Sequence, residues 1–74
     1  MSALRFIRKD VLGFSQAELA AVAEVSQGTV SKWEAGDLTP SLDEMSRIRA
    51  EALSRGLTWD DRWFFDSPAA EARA

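Results

Sequence analysis

The chain has 74 residues, 46% of them hydrophobic, with nine basic against twelve acidic side chains and a formal net charge of −3. That is the length of one small domain, which buries only about 60–65% of its unfolded surface and is marginal alone, so a second subunit would add to its core. The lack of Cys and His removes disulfides, thiolate metal sites, thiol nucleophiles and the commonest general bases; no apolar run approaches the roughly 18 residues of a membrane span, and MSALRFIRKD lacks the apolar region of a signal peptide, so a cytoplasmic protein is expected.

In chain order, Ser2 is placed to cap a first helix on which Leu4, Ile7 and Val11 recur at helical spacing, with Phe6 beside them and Gly13 as the stop. Arg5, Arg8 and Lys9 fall on its polar side. The stretch Phe14 to Gly36, FSQAELAAVAEVSQGTVSKWEAG, then reads as two short helices joined by a tight turn. Ser15 and Glu18 have the spacing of a capping box, and Phe14 and Leu19 that of a hydrophobic staple. Leu19, Val22 and Ala23 make the apolar stripe, with Ala20 on its edge. Ser26 opens the second helix, stapled by Val25 and Val30. Val30 and Trp33 face inward, and Gly36 takes the left-handed conformation that ends a helix. Gln27, Gly28, Ser31 and Lys32 are left on the outer face, which is small, polar and rich in donors. A helix-turn-helix needs this layout, because the leading turn and outer face of its second helix enter the major groove of DNA.

Asp37 to Pro40 reads as a loop, Pro40 biasing Thr39 to an extended conformation. Ser41 and Glu44 repeat the capping box. Leu42, Met45, Ile48, Ala52 and Leu53 form the stripe of a fourth helix, at about 41–55, and Gly56 ends it. Exposed amides at its start, with the Ser41 hydroxyl, suit a phosphate; a cap alone also accounts for Ser41. Thr58 and Asp61 give a weaker capping signal for a fifth helix at about 58–65. It would carry Trp59, Trp63, Phe64 and Phe65, too many large aromatics for one face of a short helix. Trp63 and one neighbour are expected to plug the core, and the surplus favours a dimer or partner interface. SPAAEARA, from Ser67, reads as a flexible tail. The domain is therefore expected at 1–66 and the tail at 67–74, with no internal repeat and no second domain.

The spaced set Ser15-Gln16, Leu19-Ala20, Val25-Ser26, Val30, Trp33-Glu34, Gly36 and Pro40-Ser41-Leu42 resembles the helix-turn-helix of the Xre family, the group of phage Cro and lambda-type repressors. The similarity runs from about Leu4 to Leu57. It implies an all-α, five-helix lambda-repressor-like domain that binds double-stranded DNA, with the motif at 15–36 as helices 2 and 3. Two residues depart from the pattern. Glu24 stands in the turn where the family usually has Gly, at a cost on the order of 1 kcal/mol if φ is positive. Asp37 stands where the family often has Lys or Arg, which removes a phosphate contact.

By that match Gln16 donates to a phosphate, and Ser26, Thr29, Thr39 and Ser41 are further phosphate candidates. Such contacts fix register and carry no sequence information. Gln27 suits the N6 and N7 edge of adenine and Lys32 the O6 and N7 edge of guanine. Ser31 bonds several edges, and Gly28 permits close backbone approach or contact with a thymine methyl. Each has a plainer alternative: Gln27 as a polar surface residue, Lys32 as a solvated lysine paired with Glu24 or Asp37. Arg5, Arg8 and Lys9 are either a solvated face or lie in part along the DNA backbone. Glu34 is a structural position in the family and is not counted as a reader. In related repressors the last helix often carries the dimer contact, which agrees with an interface at Trp59, Trp63, Phe64 and Phe65.

Residues 1–36 carry four basic and four acidic side chains, residues 37–74 five and eight. The acidity lies away from the reading helix, but the basic footprint is thin. Weak non-specific binding with a shallow salt slope follows, because few phosphates are neutralised, and useful affinity then needs two subunits. The acidic pairs Asp43-Glu44 and Asp60-Asp61 fall in first turns, where the helix dipole favours negative charge, and no glycine-rich phosphate loop is present. An enzyme is not expected, and neither is a cofactor or metal. The expectation is a cytoplasmic, nucleoid-associated regulator that binds an inverted-repeat operator as a homodimer, most simply as a repressor. Three alternatives stand beside it: an antitoxin-like interaction module gripping a protein through Trp59 to Phe65, an activator touching RNA polymerase, and a helix-turn-helix fold that no longer binds DNA.

Overall fold

Residues 3–65 are described in the computed structural model, and they form an all-α arrangement of four helices closed by a tight turn. The first helix, α1, runs Ala3–Phe6 and continues as a π-turn through Ile7–Leu12. The expected cap Ser2 lies outside the described residues, as does the tail from Ser67. The π-turn changes the expected stripe. Bonding from residue i to i+5 widens the spacing, so Leu12 joins Leu4 and Ile7 in the core while Val11 is only half-buried. Gly13, at φ 69°, ends the element, and the amides of Gly13 and Phe14 both donate to the Arg8 carbonyl.

Helix α2, Gln16–Ala23, opens on the expected capping box: the Glu18 amide donates to Ser15 Oγ at 3.1 Å, and the Ser15 amide to Glu18 Oε1 at 2.8 Å. Phe14 and Leu19, the expected staple, are both buried. The helix ends at Glu24 with φ 62° and ψ 44°, the one non-glycine residue at positive φ among those described. That is the left-handed turn where the family pattern has glycine. Arg47 supports it, its Nε donating to the Ala23 carbonyl at 3.0 Å. Helix α3, Gln27–Ala35, is capped by Ser26, whose Oγ accepts from the Thr29 amide at 3.1 Å. Helix α4, Leu42–Ser54, repeats the capping box through Ser41 and Glu44.

Each of the four helices supplies one large, fully buried aliphatic side chain: Ile7, Leu19, Val30 and Ile48. At about 1.5–3 kcal/mol each, these four set the register of the bundle. On α4 the buried seam is narrower than expected. Ile48 and Ala52, one turn apart, are buried and Met45 is half-buried, but Leu42 is 80% and Leu53 51% exposed. Leu42 is the first residue of the helix and overhangs the edge of the core, and Leu53 sits about 100° round from Ala52 at 3.6 residues per turn.

The helix expected over 58–65 is instead a single 3-10 turn, Asp61–Phe64. Its cap is Asp60, not Thr58: the Asp60 carboxylate accepts from the Arg62 amide at 2.9 Å, and an Arg62 Nη2 contact at 2.7 Å holds it in place. These bonds favour a tight turn over a full helical one. Phe64 enters the core. Trp63 meets Phe6 of α1 edge-on at 5.5 Å between centroids, and Trp59 meets Trp63 and Phe64 at 5.4 Å each. The turn thus closes the domain against α1.

Candidate nucleic-acid interface

The outer face of α3 is built by subtraction. Val30 and Trp33 are buried on one side of the helix, and the residues opposite them have nothing to pack against. Gln27, Gly28, Ser31 and Lys32 are all exposed, and they span an arc of roughly 140° at 3.6 residues per turn. Gln27 is the first residue of the helix, so its side chain and the leading amides share the end that favours negative charge. A Cβ built on Gly28 would meet only Ser26 Oγ, at 3.8 Å. Folding therefore does not demand glycine there. The pairing of Lys32 with Glu24 or Asp37 is not made. Lys32 has no ion-pair partner among the described residues, and the carboxylate of Glu24 faces Arg47 at 3.9 Å.

The other sequence candidates divide. Ser26 and Thr29 are joined, hydroxyl to hydroxyl, at 3.0 Å at the start of α3. Gln16 is drawn to the same helix, its Nε2 donating to Glu34 Oε1 at 3.4 Å. One amide N–H of Gln16 is left to reach outward. Thr39 is exposed on the loop after α3, and Ser41 is committed to its cap at the start of α4. That loop is tied to the end of α3, the Asp37 amide donating to the Lys32 carbonyl at 2.9 Å. Of the aromatic set, Phe64 is buried, Trp59 and Trp63 are half-buried, and Phe65 is 70% exposed.

The sequence reading missed the group that fixes this face. Arg8, assigned to a polar side, turns inward and makes a two-point ion pair with Glu34: Nε to Oε2 at 2.5 Å and Nη2 to Oε1 at 3.1 Å. Its Nη1 also donates to the Phe14 carbonyl at 3.0 Å. The two side chains are 12% and 9% exposed. The bond to Glu34 raises the Arg8 pKa above its ordinary value, so the guanidinium stays charged. Arg8 thus ties α1 to the entry of α2 and to α3, while Glu34 holds Gln16. The one signal in the sequence was a family position, Glu34, that is structural although acidic; nothing local named Arg8 as its partner.

Four helices with a capped left-handed turn between α2 and α3, and an unpacked polar face on α3, define a helix-turn-helix DNA-binding domain. The family description helix-turn-helix matches residues 4–59. The chain belongs to the Xre family of helix-turn-helix domains, whose members are DNA-binding regulators and not enzymes. Neither a curated protein nor a solved structure matches it significantly. No helix among the described residues is long and apolar enough to cross a membrane.

Proposed function

We propose that the protein regulates transcription by binding an inverted-repeat operator in double-stranded DNA as a homodimer, acting as a repressor that occupies a promoter. The observation that carries this is the outer face of α3: four exposed positions, one of them a Lys32 with no ion-pair partner among the described residues, over a helix whose inner side is anchored. In this reading Gln27 and Lys32 read bases, Ser31 adds a tolerant contact, and Gly28 lets the backbone approach. Gln16, Ser26, Thr29, Thr39 and Ser41 position the domain on phosphates through hydroxyl, amide and helix-start donors. The protein works on the nucleoid in the cytoplasm. The functional domain is 1–66, a lambda-repressor-like arrangement whose fifth helix is reduced to the 3-10 turn.

The thin basic footprint sets the mode of binding. Arg8, Arg47, Arg49, Arg55 and Arg62 all face carboxylates. Among the described residues Lys32 is then the cation that the motif itself offers, and one subunit neutralises few phosphates. Two subunits on one site supply the missing affinity. Selection of bound duplexes from a random library tests this reading. The expected product is an inverted repeat with half-site centres about one helical turn apart. No enrichment at low salt refutes it. The second reading, an antitoxin-like module or an activator that contacts polymerase, is favoured by one observation, the exposed Phe65 beside the exposed Leu42. Under it, Phe65→Glu would leave a dimer with intact DNA binding.

A further inference from the structure

Leu42, Met45 and Arg49 recur at i, i+3 and i+7 along one face of α4. With Asp61 and Phe64 of the closing turn, and Phe65 just after it, they line an open groove of about 340 Å3. Along the helix this wall changes from apolar to charged, Arg49 standing about 10 Å beyond Leu42 at 1.5 Å per residue. Arg49 Nη1 faces Asp61 Oδ2 at 3.9 Å, with half or more of each side chain exposed. We propose that this groove binds a free α-amino acid with a large apolar side chain, its carboxylate on Arg49, its ammonium on Asp61 and its side chain against Leu42, Met45 and the two phenylalanines. The site shares no residue with the outer face of α3, and the inference does not depend on the DNA reading.

Three features select this chemistry. The first is the lining: a concave site of this size, mostly apolar with a few placed polar groups, is what a small molecule needs. Leu42 and Phe65, 80% and 70% exposed, leave apolar surface that a hydrocarbon side chain would take out of water. The second is charge. The groove offers one cation and one anion side by side, and a zwitterion opposes each with its opposite. A ligand with a carboxylate alone would set like charge against Asp61, and one with an ammonium alone would set it against Arg49. The third is that the two groups are not spent on each other. Their 3.9 Å separation exceeds the roughly 2.7–2.9 Å of a charge-assisted hydrogen bond. Asp61 is oriented from its other oxygen, where Oδ1 accepts from the Trp59 indole Nε1 at 2.7 Å, so Oδ2 keeps its capacity to accept an ammonium proton.

The test is isothermal titration calorimetry of the whole chain with L-phenylalanine, alongside tryptophan fluorescence, since the Trp59 indole shares Asp61 with the ligand. For a ligand of this size a saturable dissociation constant on the order of 1 mM is expected. L-Phenylalaninamide lacks the carboxylate and N-acetyl-L-phenylalanine the ammonium, and each should bind about tenfold more weakly. The variants sharpen this. Arg49→Met should weaken L-phenylalanine about tenfold yet bind the amide no worse than wild type does. Asp61→Asn should weaken it likewise and bind the acetylated form no worse. Leu42→Ser, at the most exposed apolar position of the groove, should weaken all three ligands. Arg49 is half exposed, so Arg49→Met decides alone if Asp61→Asn disturbs the turn, with circular dichroism confirming the fold. No saturable binding up to about ten times the expected constant would overturn the proposal. So would equal binding of the three ligands, which marks a merely apolar surface, or an Arg49→Met chain that binds L-phenylalanine as wild type does.

Discussion

Replacing Glu34 with alanine leaves the Arg8 guanidinium in a site where its side chain is 12% exposed, with the Phe14 carbonyl as its remaining partner there. Gln16 loses its contact as well. Removing one member of a buried pair costs about 3–5 kcal/mol, and the residual exposure puts this pair at the lower end, about 3 kcal/mol. A domain of this length has about 4–11 kcal/mol in all, so the variant should sit near the edge of folding. The expected fall in Tm is about 12 °C or more, at roughly 4–8 °C per kcal/mol for a domain of this size. Thermal and urea melts followed by circular dichroism measure it. Substituting both residues, Arg8→Met with Glu34→Leu, removes both charges together and should recover most of the loss. A fall of less than about 5 °C in Glu34→Ala would mean that the pair behaves like an exposed one, worth about 0–1 kcal/mol. The claim that it braces α1, α2 and α3 would then be refuted.

Three other outcomes follow from the same geometry. Glu24→Gly should stabilise the domain by about 0.5–1 kcal/mol in a urea melt, because relief of the left-handed strain exceeds the loss of an exposed contact with Arg47 at 3.9 Å and the entropy of an added glycine; a destabilised variant would show that the contact matters more than the strain. Gly28→Ala should leave the melt unchanged or raise it slightly, since a Cβ there meets only Ser26 Oγ at 3.8 Å, while weakening DNA binding; equal affinity would show that the backbone does not approach DNA at that point. Bonds from Ser15 lower the Glu18 pKa from 4.5, and bonds from Arg62 lower that of Asp60 from 3.8. Carboxylates depressed by folding stabilise it above their unfolded pKa and lose that contribution as pH falls through the folded value, so melts should be flat at neutral pH and decline below about pH 4.5. Glu18→Gln should flatten the upper part of that decline, and an identical pH profile would refute its assignment to the cap.

What could be read from the sequence was local. The capping boxes at Ser15–Glu18 and Ser41–Glu44 span three residues, and their bonds form within one turn. The inward Val30 and Trp33 were equally legible from spacing, whereas the left-handed residue at Glu24 was signalled only by the resemblance to a family with glycine there. What escaped was set by tertiary packing. Arg8 and Glu34 lie 26 positions apart, so no periodicity links them. The π-turn that puts Leu12 in place of Val11 has no residue signature. The closing aromatics were read as an interface because they are too many for one helix face. A 3-10 turn with Asp60 as its cap folds three of them back onto the domain and leaves Phe65 outside. The polar face of α3 was legible for the opposite reason: it is defined by what does not pack.

The central claim, that this face reads base pairs, is tested most directly by titrating the selected duplex and a scrambled duplex with wild type and with the Gln27→Ala and Lys32→Ala variants at one fixed salt concentration. The account predicts that wild type prefers the selected duplex by about a thousandfold or more. Each variant should lose about 1–3 kcal/mol of that preference at the base it reads, with an unchanged melt. A variant that binds both duplexes as wild type does, or a wild type that cannot tell them apart, would contradict it.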